Sequence, residues 1–90
     1  MEFEWDASKA AANVRKHGVS FREAESVFGD PNAIVLYDDN HSITEDRYII
    51  IGFSDRGRLL TVVYTERDGK TRIISARTAT KSEAEAYAKT

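Results

Sequence analysis

Apolar and polar positions divide the chain into a helical first third and a strand-rich remainder. Glu2-Phe3-Glu4-Trp5 alternates, which predicts a short edge strand with Phe3 and Trp5 turned to the same side. Asp6 is a good N-cap, and Ala7, Ala10, Ala11 and Val14 recur at helical spacing as a narrow apolar stripe. That helix is expected to end at Gly18, with Lys16 and His17 in its last turn, where they suit the macrodipole. Ser20 and Glu23 form a capping-box pattern, and Phe21, Ala24, Val27 and Phe28 make the buried face of a second, shorter helix. Gly29-Asp30-Pro31 is a stop and turn.

From there the period changes to that of strands. Residues 33–37 form the first run, residues 38–46 a polar loop containing His41, and residues 48–53 an isoleucine-rich strand. The segments Ser54-Asp55-Arg56-Gly57 and Arg67-Asp68-Gly69-Lys70 are hairpin turns joining 48–53, 59–66 and 71–77 into an antiparallel meander. Residues 33–37 are expected to join it. The middles of the central strands are apolar on both faces, so each face should be at least partly covered. Thr80 and Glu83 make another capping box, which opens a C-terminal helix over 81–89. The pattern therefore predicts one α+β domain over 1–90, with two N-terminal helices, an antiparallel sheet of about four strands and a terminal helix.

Composition narrows the class. With 41% hydrophobic and 31% charged residues in 90, the chain reads as a globular domain with a small core. Cysteine is absent, which excludes disulfides and thiolate metal sites and fits a reducing cytoplasm. The first residues form neither a basic segment nor an apolar run, so no signal peptide is expected, and no apolar stretch is long enough to span a bilayer. The net charge of −2 speaks weakly against a nucleic-acid partner, but its distribution is uneven. Residues 1–46 hold four basic against ten acidic residues, and residues 47–90 hold nine against five, leaving −6 and +4. A basic surface from the second half could face an anion; such asymmetry is also ordinary in a small protein.

Three groups of residues could carry chemistry. On the first helix, Asp6, Lys9, Asn13, Lys16 and His17 share a polar face that could hold a phosphate, with His17 as acid or base, or could simply be solvated. In the 38–46 loop, His41 and Glu45 precede Arg47; Asp38 and Asp39 lie nearby, but no spacing specifies a metal site. Arg58, Arg67, Arg72 and Arg77 lie on or beside the last strands, where they could bind phosphate bidentately or guard an edge. On a regular strand Arg72 and Arg77 point to opposite sides, and Arg77 shares a side with Ser75 and Ile73. Walker loops, glycine-rich dinucleotide turns and nucleophile elbows are absent.

Taken in order, Phe3-Glu4-Trp5-Asp6 with Lys9 and Asn13, Lys16-His17-Gly18-Val19-Ser20-Phe21 with Glu23-Ala24 and Val27-Phe28, and Asp30-Pro31 resemble the first half of the BrnT family of bacterial toxins. His41-Ser42, Glu45, Arg47-Tyr48, Ile51-Gly52, the run from Leu60 to Arg67 and that from Arg72 to Arg77 with Ala79-Thr80 extend the resemblance over essentially the whole chain. It implies a RelE-like fold and a toxin of a type II toxin-antitoxin system. Such a toxin cleaves RNA without a required metal or other cofactor and inhibits translation. It further implies a BrnA-like ribbon-helix-helix antitoxin, a heterotetramer with it, and contact with operator DNA only through that partner.

Carried over by position, Trp5, Lys9, His17, His41, Glu45, Arg47, Glu66, Arg67 and Arg77 are the candidate functional residues, beside Lys16 and Arg72 from the charge pattern. The expected mechanism is attack by the 2′-hydroxyl on the adjacent phosphodiester, with Glu66 or His17 as base and Lys9 or His41 as acid. Arg67 and Arg77 would hold the developing charge, while Trp5, Lys16, Glu45, Arg47 and Arg72 would bind RNA. The competing expectation is a non-catalytic module that pairs with a DNA-binding antitoxin in operon autoregulation.

Overall fold

The structure, a computed structural model, describes all of residues 1–90. The elements in chain order are β1 (Phe3–Glu4), α1 (Ala7–His17), α2 (Phe21–Ser26), a 3₁₀ turn (Val27–Gly29), β2 (Ile34–Tyr37), a second 3₁₀ turn (Asp39–His41), β3 (Tyr48–Phe53), β4 (Leu59–Arg67), β5 (Lys70–Thr78) and α3 (Lys81–Ala88). The sheet has five strands in the order β1-β5-β4-β3-β2, and β1 pairs with β5 in parallel. This corrects the expectation of about four antiparallel strands: the edge strand read at Phe3 and Glu4 joins the sheet after a crossover through the whole chain.

Local chemistry sets the boundaries. Asp6 caps α1 by accepting from the Lys9 N–H at 3.0 Å, and Gly18 ends it at φ 68°, in the left-handed region. Ser20 caps α2 through the Glu23 N–H, but the Glu23 side chain does not return to close the expected box. It is buried and turns instead to Arg58 and the Ser54 hydroxyl, tying α2 to the β3–β4 turn. Thr80 and Glu83 do form the full box. In the β4–β5 turn Asp68 and Gly69 both have positive φ, as a two-residue hairpin requires.

The core lies between one sheet face and the helical layer. Val19, Phe21, Ala24 and Val27 pack against Ile50, Leu60, Val62, Tyr64, Ile73 and Ala76. A row of rings, Phe3, Phe28, Tyr64, Tyr48 and Tyr37, runs across the same layer with neighbouring centroids 5.0–5.7 Å apart.

Packing of α1 differs from the periodicity. The expected buried stripe faces largely outward, Val14 being 49% exposed, and the buried residue of the helix is Asn13. The reason is a sheet edge. β1 covers β5 only at Thr71 and Arg72, and farther along Asn13 takes the place of a strand. Its amide donates to Ala76 C=O and Val19 C=O, each at 2.8 Å, and its carbonyl accepts the Ala76 N–H at 3.1 Å. Every polar group of that side chain is used.

Candidate active-site cleft

The second sheet face is only half covered. α3 lies over one end, where Glu83 reaches Thr61 and Arg77 and the Tyr87 ring meets Phe53 at 5.4 Å. The rest forms a cleft of about 420 Å³, floored by Ile49, Val63 and Ile74 and walled by Asp38, Asn40, His41, Arg47, Ser75 and Arg77.

A bulge in β5 determines which side chains reach it. Val63 pairs with Ser75 but the next residue, Tyr64, pairs with Ile73, leaving Ile74 as the extra residue. Beyond the bulge the alternation is reversed. Arg77 pairs with Thr61 and Arg72 with Thr65, and these threonines share one face of β4, so both arginines emerge on the cleft side. The expectation of opposite sides is corrected for that reason, and Ile73 turns into the core while Ser75 stays beside Arg77.

The loop between β2 and β3 forms the far wall. Ser42 closes its neck: its hydroxyl donates to Asp38 C=O at 2.6 Å and accepts the Arg47 N–H at 2.9 Å. Asp38 and His41 lie three residues apart on the 3₁₀ turn, which brings His41 Nδ1 within 3.0 Å of the Asp38 carboxylate. This contact orients the ring and leaves Nε2 for another partner.

Charge around the cleft is arranged in pairs. Arg77 donates to both Glu83 carboxylate oxygens, at 2.7 and 2.8 Å, and Arg67 reaches Glu45 at 2.7 Å. Arg72 lies 3.3 Å from Glu4. The Arg77 contact, aided by the Thr80 N–H and the Thr61 hydroxyl against the cost of burial, holds the Glu83 carboxyl at about 2. Glu45 is lowered from its usual range mainly by Arg67. Arg47 is the exception: it lines the cleft and its guanidinium has no carboxylate partner.

The structure therefore gathers His41, Arg47 and Arg77 in one cleft, with Glu45, Arg67 and Arg72 on the same side of the sheet. It does not bring the other candidates there. Trp5 is half-buried against the core, its ring 6.0 Å from Phe21. Lys9, Lys16 and His17 stand on α1, and none of them lines the cleft. Glu66 follows Tyr64 on the opposite face of β4 from Arg67 and accepts from the Thr71 hydroxyl at 3.1 Å. Asn40 and Ser75 are cleft residues that the sequence reading did not single out, since a lone amide and hydroxyl carry no spacing signal. No three side chains of His, Asp or Glu converge as metal ligands do, and no helix is long and apolar enough to cross a membrane.

A small α+β domain with an arginine-lined, histidine-bearing cleft on an open sheet face defines a class of protein suited to anionic substrates. Residues 5–83 match the family model described as the ribonuclease toxin, BrnT, of type II toxin-antitoxin system. The chain belongs to that family, as its motifs suggested. Among solved structures, the 1.1 Å crystal structure of the Brucella abortus ribonuclease toxin, BrnT, is similar in fold, with a TM-score of 0.69 at 24% identity. The match covers 90% of this chain and 99% of that one. No curated protein sequence matches the chain. Membership in a type II system implies a protein antitoxin as partner.

Proposed function

We propose that the chain is a metal-independent endoribonuclease that cleaves RNA through its own 2′-hydroxyl and is neutralised by a BrnA-like ribbon-helix-helix antitoxin in the cytoplasm. The observation that carries the catalytic part is the juxtaposition of an imidazole oriented by Asp38 with an unpaired guanidinium, Arg47, over an apolar floor. His41 Nε2 takes the proton of the 2′-hydroxyl as its oxygen attacks phosphorus. The bond to the 5′-oxygen breaks, and that oxygen takes a proton from water. Arg47 binds the phosphate on entry, because nothing else competes for it. Arg77, fixed by Glu83, stabilises the charge that grows on the non-bridging oxygens. Arg67, held by Glu45, and Arg72, held by Glu4, lie farther along the same side of the sheet, where these ion pairs can open to further phosphates of the RNA. The apolar floor of Ile49, Val63 and Ile74 strengthens the contacts that Arg47 and Arg77 make.

Purified chain, free of antitoxin, incubated with RNA in EDTA tests the proposal. Cleavage is expected to survive the chelator, to fall roughly a hundredfold or more in Arg47→Ala and by a comparable factor in His41→Ala. Cleavage that disappears with EDTA, or that both variants retain at the unaltered rate, refutes this mechanism.

A further inference from the structure

We propose that the outer edge of β2 is the docking site of the antitoxin, and that it takes an extended, apolar segment with basic flanks as an added strand of the sheet. The proposal rests on the protein partner that family membership implies and is independent of the catalytic reading of the cleft.

The two edges of the sheet are treated differently. At the β1 end, β1 pairs with β5 and Asn13 takes up the Ala76 amide that β1 does not reach. At the other end β2 pairs only with β3. The Asp38 N–H donates to Arg47 C=O at 2.9 Å, and the register runs regularly from Tyr37↔Tyr48 to Ile34↔Ile51. Alternation then turns the backbone groups of Leu36 and Ile34 inward and those of Val35 and Tyr37 outward. No turn, loop or cap hydrogen bond takes up the outward groups.

Edges left open in this way normally carry a charge, a proline or a bulge. β2 reads Ile-Val-Leu-Tyr and has none of them. Its side chains are apolar and exposed: Val35 53%, Leu36 47% and Tyr37 48%, with Ile43 of the following loop at 91%. An exposed apolar strand with free N–H and C=O groups fits another strand, whose backbone supplies the hydrogen bonds and whose alternate side chains cover Val35 and Leu36.

Charge selects the occupant. From Glu23 to Asp46 there are seven acidic residues and no Lys or Arg, and β2 lies in the middle of that stretch. A second copy of the chain would bring two such stretches together, against like-charge repulsion. A segment flanked by Lys or Arg is attracted instead. Leu36 pairs with Ile49 of the cleft floor, and Asp38 and His41 follow β2 directly. A chain seated on β2 would therefore continue beside the cleft wall.

The probes are two synthetic peptides, Lys-Lys-Val-Thr-Val-Thr-Val-Lys-Lys and the same peptide with Glu for every Lys, added to the full chain at millimolar concentration. Amide exchange is followed by NMR. The lysine peptide is expected to slow exchange at the Val35 and Tyr37 amides by roughly tenfold or more, and the glutamate peptide to do nothing. Val35→Pro deletes one outward N–H and should abolish the effect; Val35→Lys, which charges the edge without a backbone change, should weaken it as well. Unchanged exchange at these two amides with the lysine peptide overturns the proposal, as does equal protection by both peptides. Protection that grows with the concentration of the chain alone overturns it too, by making a second copy the occupant.

Discussion

Replacing Glu83 by Gln separates the charge of one carboxylate from its hydrogen-bonding shape. In the folded chain Glu83 accepts from Arg77, the Thr61 hydroxyl and the Thr80 N–H, and its carboxyl titrates at about 2 rather than near 4.5. Because the folded value is depressed, the stabilisation is fully present above the usual carboxylate range and is lost as pH falls toward the folded value. Each unit corresponds to about 1.4 kcal/mol, which would give about 3 kcal/mol for the full shift. The Arg77 side chain is 39% exposed and the Glu83 side chain 21%, so solvent screening reduces this to about 2 kcal/mol. Glutamine keeps an acceptor for the Thr80 N–H but not the charge on Arg77. The variant should therefore melt roughly 10 °C lower near neutral pH, a domain of this size losing about 4–8 °C per kcal/mol. Near pH 2.5 the gap should shrink to about a quarter of its neutral-pH size, because most of the stabilisation is lost between the usual carboxylate value and the folded one. Circular-dichroism melts at both pH values decide the matter. An equal gap at the two, or none near neutral pH, would refute the assignment of this stability to the Glu83 charge.

Three further variants test the packing and the placement of the site. Asn13→Ala leaves the Ala76 N–H and C=O and the Val19 C=O without their side-chain partner, and should cost about 2–4 kcal/mol in urea unfolding; a loss below about 1 kcal/mol would show that water replaces the amide. Gly52→Ala puts a Cβ 2.9 Å from Ala33 Cβ and 3.1 Å from Asp30 Oδ2. Since Asp30 accepts from the Phe53 N–H and the Tyr87 hydroxyl, the crowding should destabilise the chain by about 1–3 kcal/mol, and an unaltered melting temperature would contradict it. The double variant Lys16→Ala, His17→Ala should cleave RNA within about twofold of wild type if chemistry is confined to the cleft; a loss comparable to that of Arg47→Ala would move the site to α1.

Much of the fold was legible because it is written in local chemistry. Caps at Asp6, Ser20 and Thr80, stops at Gly18 and Asp30-Pro31, and the Asp68-Gly69 turn act within a few residues of themselves. The meander followed from those turns. Pairing of Phe3 and Glu4 with Thr71 and Arg72 did not, because a parallel contact across nearly the whole chain leaves no mark on either segment. The burial of α1 was misread for a related reason. Periodicity ranks residues by hydrophobicity, and the helix is held by an amide whose partners, at Ala76, are remote in sequence.

The same limit explains the site. Histidine and arginine at positions 41, 47 and 77 are visible as residue types, and family motifs single them out, yet their convergence depends on one extra residue in β5. Strand alternation taken from the sequence puts Arg72 and Arg77 on opposite faces, and no hydrophobic pattern announces the bulge, since Ile73 and Ile74 are both apolar and either could face the core. Pairing with β4 resolves the ambiguity: Tyr64 takes Ile73 as its partner on the core face, so Ile74 drops out of register, the cleft gains Ser75 and Arg77, and Arg72 emerges on the same side of the sheet. A strand without the bulge would turn either Arg72 to the core face opposite Glu66 or Arg77 to it opposite the fully buried Leu60, and placing a guanidinium on that face costs more than a kinked strand does. The core thus sets the register, and the register carries the arginines to the open face.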